Sequence, residues 1–274
     1  MRRMSVRIVR YSLLFLLSAA FLFPLYWALI TAFKSPAEAN ATPPTLFPAE
    51  FHPENFATAW TAQPFTRYLV NSVIVTTLAV IGMTLSSALV AYGFARFEFR
   101  GKNILFMLLL STMMIPWDVL VIPLYMQFNA FGWLDTLKPL YVPAFFGIPF
   151  YIFLMRQFLR GIPRDFEESA ILDGAGHLTI FVRIFIPLLK PQMVLSAIMY
   201  MMVVWNDYLG PLVYISNSEK FTLPIGLSLF KGAYTTDYTS LMAITVIMTV
   251  PVVIAFFFGQ KHILGVNLSA GIKG

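Results

Sequence analysis

Between two long apolar runs of this chain lies a stretch, residues 161–191, that hydrocarbon would reject. It carries Arg164, Asp165, Glu167, Glu168, Asp173, Arg183 and Lys190. Each such charge at a bilayer centre costs roughly 2.5–3.5 kcal/mol on insertion scales, about 20 kcal/mol together. The stretch therefore sits in water while its flanks are apolar enough for a membrane. Composition agrees: the chain is 58% hydrophobic and only 12% charged, with a mean hydropathy of +0.75, far from a soluble domain. Its 274 residues hold about six spans of roughly 20 residues each.

Within 161–191 the local signals are helical. Pro163 suits a first helical position, and Asp165, Glu167 and Glu168 complement the positive end of a helix dipole. Asp173-Gly174-Ala175-Gly176 stops that helix. A second piece, 177–185, places Leu178, Phe181, Val182 and Phe185 at i, i+3, i+4 and i+7, and is expected to end at Pro187. About thirty solvated residues with caps and an apolar stripe ask for a partner. The alternative is an amphipathic helix resting on the membrane surface.

The spans follow from the apolar runs. Residues 11–33 exceed the roughly 7–15 residues of a signal-peptide core, so they are predicted to be a first transmembrane helix. Six prolines between Pro36 and Pro64 keep 34–64 from spanning. The second helix is predicted over 69–95, where Gly82, Ser86, Ser87 and Ala91 permit close packing. The third is predicted over about 104–123, the fourth over 140–158, the fifth over 193–214 and the sixth over 238–260. Pro116, Pro123, Pro143 and Pro149 suggest kinks.

Fourteen of the nineteen Lys and Arg residues fall on one side of this topology, in the N-terminus, the loop at Arg96, residues 156–190 and the tail. Positive-inside puts both termini and 161–191 in the cytoplasm. The net charge of +6 is thereby explained without nucleic acid.

No chemistry of the chain's own is legible. Around Gly101-Lys102-Asn103 a phosphate-binding loop would need glycine at Arg96 and a hydroxyl at Asn103. His52, His177 and His262 share no metal-ligand spacing, and no cysteine is present. Polar groups within a span are functional candidates. Asn206 and Asp207 lie about 20 Å from the start of their predicted helix at 1.5 Å per residue, with Asp118 at similar depth. Two readings stay open for Asp207: a gate or solute contact, or a hydrogen bond capping a broken helix.

The run Glu168-Ser169-Ala170, three residues, Gly174, nine residues, Ile184-Phe185-Ile186-Pro187 resembles the E-A-A, x3, G, x9, I-x-L-P loop of permease subunits of binding-protein-dependent ABC importers. Ser169 stands for an alanine and Ile186 for a leucine, both close in shape. Trp205-Asn206-Asp207-Tyr208-Leu209-Gly210-Pro211-Leu212 is similar to the carbohydrate class, of maltose G-subunit type. So are Phe23-Pro24-Leu25-Tyr26-Trp27, the 92–97 run ending in Arg96-Phe97, and the tail 269–274, although Asn267 stands where glycine is common. The resemblance implies an all-α integral membrane protein, a six-helix type I permease in one domain (1–274). Its core would span about 68–260, in a prokaryotic inner membrane.

It further implies that 161–191 is a coupling loop docked on a separate ATPase through Glu168, Ser169, Ala170, Asp173, Gly174, Ile184 and Pro187. In this view Ala170 is small to admit the partner. Asn206, Asp207 and Asp118 would border the translocation path. Partners would be a second, non-identical permease, two ATPase subunits and an external solute-binding protein. The chain itself would be no enzyme and bind no cofactor; ATP and magnesium would belong to the ATPase. The solute would be a sugar or oligosaccharide, and no residue excludes another solute class such as glycerol phosphate or polyols. An ion-coupled secondary transporter would need paired intramembrane carboxylates or a repeat, which the sequence does not offer.

Overall fold

The computed structural model describes residues 2–232 and 236–270, with the side chains of 2–6, 8 and 261–270 outside that description. The tail motif 269–274 and Asn267 therefore fall beyond what is described of side chains, and 271–274 beyond it altogether. The described chain is helical throughout, without a β-strand. Helix α1 runs Arg2–Ala32, and short helices α2 (Pro36–Ala39) and α3 (Glu54–Ala62) interrupt the proline-rich loop. Then come α4 (Phe65–Arg96), α5 (Lys102–Ser111), α6 (Trp117–Ala130), α7 (Lys138–Tyr141) and α8 (Pro149–Arg160). The polar insert forms α9 (Asp165–Leu172) and α10 (His177–Ile180). Beyond it lie α11 (Ile186–Trp205), α12 (Leu209–Tyr214), α13 (Leu223–Ser228) and α14 (Tyr238–Ala270).

Among the described residues five helical stretches are long and apolar enough to cross a membrane, and α5 with α6, bent by 99° between them, pass that test only as a pair. The predicted third helix, 104–123, is thus not one helix. Pro116 clashes with a helical conformation at the residue before it, and Ile115 is extended at φ −84°, ψ 114°. The predicted fifth helix, 193–214, is also redrawn. Helix runs from His177 to Trp205 and breaks at 206–208. The sixth starts at Tyr238 as predicted and continues to Ala270.

The chain divides into two compact units, residues 1–66 with 225–251, and 67–224 with 252–274. In the first, the end of α1 is held by Asn55, whose Nδ2 donates to the Ala32 and Lys34 carbonyls at 2.9 and 2.8 Å. Lys34 is buried, its ammonium 4.7 Å from the centre of the Trp27 ring and donating to the Thr45 carbonyl. Glu38 accepts from the Thr45 hydroxyl at 2.6 Å and from the Ala49 amide at 3.1 Å. Thr45 donation first, then the Ala49 amide, holds this carboxyl below its ordinary range. These bonds give the proline-rich loop a definite path.

The second unit is built along α4. Near one end Asn71 Nδ2 donates to the carbonyls of Glu219 and Phe221, and Ser72 Oγ accepts the Leu223 amide. In the middle the small residues do what their spacing predicts. A Cβ on Gly82 would lie 2.5 Å from the Phe145 ring, so the 3₁₀ turn Val142–Phe146 lies directly against α4. Ser86 Oγ donates to the Ala144 carbonyl at 3.0 Å, and Ser87 Oγ accepts the Ile148 amide at 3.2 Å. Backbone groups freed where a span breaks must be satisfied inside the protein, and these two hydroxyls satisfy two of them. At the far end Ala88, Ala91, Tyr92 and Ala95 pack with Ile152, Met155 and Leu159 of α8 and with Ile180, Phe181 and Phe185.

Candidate coupling site

Helix α9 begins at Pro163-Arg164, where the Arg164 carbonyl accepts the amides of Glu167 and Glu168 at 2.8 and 3.0 Å. Asp165, Glu167 and Glu168 fill its first turn, offsetting the partial positive charge of the free amides there. The helix ends in a Schellman motif. The Ala175 amide donates to the Ala170 carbonyl at 2.9 Å and the Gly174 amide to the Ile171 carbonyl at 2.9 Å. Gly174 supplies the left-handed φ of +81° that this closure requires and that a Cβ disfavours. The turn reading of 173–176 is thus a hydrogen-bonded motif.

The site residues separate into two groups by direction. Glu168, Ser169, Asp173, Gly174 and Pro187 are exposed, and Ile184 is half-buried. Ser169 Oγ donates back to the Asp165 carbonyl at 2.8 Å. Ala170 points inward, 9% exposed within the core of the second unit. The expectation that it is small to admit an external partner is therefore corrected: its neighbours are Ala175 and the chain's own helices. Around Glu168 the outward face is apolar. Phe166, Ile171, Leu172 and Leu178 are exposed, Leu172 at 89%.

The expected stop at Pro187 is also corrected. The backbone runs unbroken from α10 through a π turn at Phe181–Phe185 into α11. Pro187 has no amide to give to the carbonyl one turn back, and the wider i→i+5 turn absorbs the mismatch. That turn shifts the helical register. Phe181 and Phe185 are buried as the stripe predicts, whereas Leu178 and Val182 are exposed and Ile180 is buried instead. α10 and the fifth span are consequently one continuous helix over 177–205, and α9 is joined to it by the turn at 173–176.

Two charged residues that sequence reasoning passed over bind this segment to the spans. Arg96, the last residue of α4, donates from one guanidinium nitrogen to the carbonyls of Leu159 at 2.7 Å and Ile162 at 2.9 Å. Its guanidinium lies 4.5 Å from the Phe185 ring centre. Glu167, buried beside the exposed Glu168, acts electrostatically on Arg96. One signal was present: an arginine closing an apolar helix flanked by Phe94 and Phe97. Nearby, Glu98 pairs with Lys102 at 3.1 Å and Arg164 at 3.2 Å. The bond from Lys102, then that from Arg164, holds the Glu98 carboxyl below its ordinary range.

The other candidate positions lie at helix breaks. Asn206 caps α11, its Nδ2 donating to the Met202 carbonyl at 2.8 Å. Asp207 is half-buried and its Oδ1 accepts the Gly210 amide at 3.0 Å. It thereby caps α12, one of the two readings its sequence left open. A Cβ on Gly210 would sit 2.5 Å from Asp207 Oδ2, so glycine is what lets the carboxylate approach. Asp118 is exposed in the first turn of α6, directly after the break at Pro116. Among the described residues no group of three or more His, Asp or Glu could hold a metal ion.

Known proteins share this architecture. The chain is 36% identical over 262 residues to the "Probable ABC transporter permease protein YurM" of Bacillus subtilis (strain 168), covering 95% of this chain and 87% of that protein. It is 34% identical over 260 residues to the "Diacetylchitobiose uptake system permease protein NgcG" of Streptomyces coelicolor, covering 94% and 86%. A solved chain from a bacterial ABC transporter involved in the import of the acidic polysaccharide alginate superposes with a TM-score of 0.81, covering 93% of this chain and 95% of that one at 23% identity. That likeness is one of fold. Residues 82–264, which contain the whole insert and both helix breaks that carry Asp118 and Asp207, match the family described as binding-protein-dependent transport system inner membrane component, and the chain belongs to that family.

Proposed function

We propose that the chain is one of two non-identical permeases of an ATP-driven importer for a sugar or oligosaccharide, and that α9 and α10 couple it to an ATPase. The observation that carries this reading is an exposed carboxylate, Glu168, set among exposed apolar side chains on a helix that one hydrogen-bonded turn joins to a helix continuous with a span. Glu168 accepts a charge-assisted bond from a basic group of the ATPase, and Phe166, Ile171, Leu172 and Leu178 fill its groove. A push on this face reaches α11 through the hydrogen-bonded turn at 173–176 and α10, which runs into α11 without a break. It also moves α4, through Arg96.

The rest of the assembly comprises two ATPase subunits, which bind ATP and magnesium, and an external solute-binding protein that supplies most of the affinity. The sugar class is supported by relatives named for diacetylchitobiose and for arabinooligosaccharides, the latter from Bacillus subtilis at 31% identity. The lysine and arginine bias supports a cytoplasmic insert with both termini on the same side. A cysteine at position 172 should then react only with reagents applied from the cytoplasmic side.

The test is Glu168→Lys in the reconstituted importer. Losing a charge-assisted bond of roughly 1.5–3 kcal/mol and gaining a like-charge contact should lower ATP-dependent uptake about tenfold or more, with helix content unchanged. Normal uptake together with normal co-purification of the ATPase would sink the coupling role.

A further inference from the structure

Beside the start of the insert the second unit holds a cavity of ≈ 540 Å³ whose walls include Lys102, Arg156, Arg160 and Arg164, with Glu98 the one carboxylate. We infer that it binds the phosphate of an anionic lipid headgroup.

The charge balance is the first ground. Glu98 is already shared between Lys102 and Arg164, and no carboxylate lies within ion-pair distance of Arg156 or Arg160 among the described residues. One carboxylate cannot neutralise four cations. An anion from outside the chain is the missing counter-charge, and a phosphate accepts the forked donors of arginine in a bidentate way.

Preorganisation is the second. Arg156 is buried, its Nε donates to the Phe94 carbonyl at 3.2 Å, and its guanidinium lies 3.9 Å from the Phe106 ring centre. With Nε and one face so engaged, its orientation is set before a ligand arrives. Arg160 is exposed at the end of α8 and free to close on it.

Position decides the source of the phosphate. The ends of α4 and α8 and the start of α5, marked by Arg96, Arg160 and Lys102, are all ends of apolar stretches, so the cavity sits at a membrane–water boundary. Ile104 forms part of its wall. From there Ile104, Leu105 and Leu108 continue along α5 as exposed apolar surface, 64%, 50% and 58% accessible. An acyl chain would lie along this strip while its headgroup meets the cations. A free phosphate or an acidic side chain from a partner would leave the strip unused.

The test uses the full chain, delipidated in detergent and mixed with phosphatidylglycerol or phosphatidylcholine, with retained lipid counted by native mass spectrometry. Phosphatidylglycerol should be retained about tenfold more than phosphatidylcholine, because only its headgroup brings a net negative charge to the cations. The double substitution Arg160→Gln, Lys102→Gln should abolish that preference, and Glu98→Gln should strengthen it by removing the competing carboxylate. Should the double variant fail to fold, Glu98→Gln alone remains decisive. Equal retention of both lipids, or no gain in Glu98→Gln, overturns the site. Displacement of phosphatidylglycerol by excess inorganic phosphate assigns it to a free anion and overturns the lipid source. Loss of ATPase co-purification from the double variant with its lipid count unchanged assigns it to a protein partner instead.

Discussion

Arg96 and Leu159 stand 63 positions apart in the chain, yet the guanidinium of one donates to the carbonyl of the other at 2.7 Å. The bond lies in the buried interior, at the C-terminal end of α8, where the Leu159 carbonyl also accepts the Ile162 amide at 3.2 Å. It ties the last residue of α4 to the entry of the polar insert.

Arg96→Met should therefore loosen the insert without unfolding the spans. Hydrogen bonds to a charged donor contribute about 1.5–3 kcal/mol, and two carbonyls, one buried and one partly buried, would lose that donor. A lower melting temperature, with faster proteolysis between 159 and 176, is the expected outcome. Lysine should rescue only in part, because it cannot reproduce the planar stacking on Phe185. An unchanged proteolysis pattern would show that the aromatic packing alone holds the insert.

At Gly174 no atom outside its immediate neighbours lies within 4 Å of a built Cβ, so substitution there tests backbone conformation and nothing else. Gly174→Ala should cost about 1–2 kcal/mol at the left-handed φ, appearing as faster amide exchange at Ala175. Asparagine, which tolerates this region, should cost less. Equal effects of the two substitutions would contradict the Schellman account.

Asp207 separates a structural carboxylate from an energy-coupling one. Asparagine keeps an acceptor oxygen for the Gly210 amide, so Asp207→Asn should retain substantial ATP-dependent uptake. Leucine leaves that amide unsatisfied at about 1–3 kcal/mol and should lose more. Uptake in proteoliposomes driven by a proton or sodium gradient alone, and abolished in Asp207→Asn, would overturn both the cap and the ATP-driven reading.

Asp135 gives a pH signature. Its carboxylate accepts the amides of Asn217 at 2.9 Å and Ser216 at 2.6 Å, and those two donors hold its carboxyl below the ordinary range. A depressed carboxyl stabilises its loop fully above the unfolded value of about 3.9 and loses that effect as pH falls through the folded value. At neutral pH Asp135→Asn should speed amide exchange at Ser216 and Asn217. The difference should vanish once acid has protonated the native carboxyl. Asparagine is the informative choice because it tolerates the φ of +57° found there.

Much of this protein was legible without coordinates because transfer of apolar side chains from water is a property of each residue and its near neighbours. The spans predicted over 69–95 and from Tyr238, the polar insert and the small-residue face of α4 all follow from that. Gly174 was legible for a similarly local reason, since a helix end needs a left-handed residue. What tertiary structure decided concerns which backbone groups come within reach of which side chains. Pro187 by itself predicts a helix end, but packing of Phe181 and Phe185 against Tyr92 favours a π turn that carries the helix through it. Ala170 is small in either direction, and only the neighbouring helices decide that it faces inward. Arg96 reads in sequence as one more basic residue at a membrane boundary. It becomes a clasp because α8 ends beside it, bringing the Leu159 and Ile162 carbonyls within reach of one guanidinium.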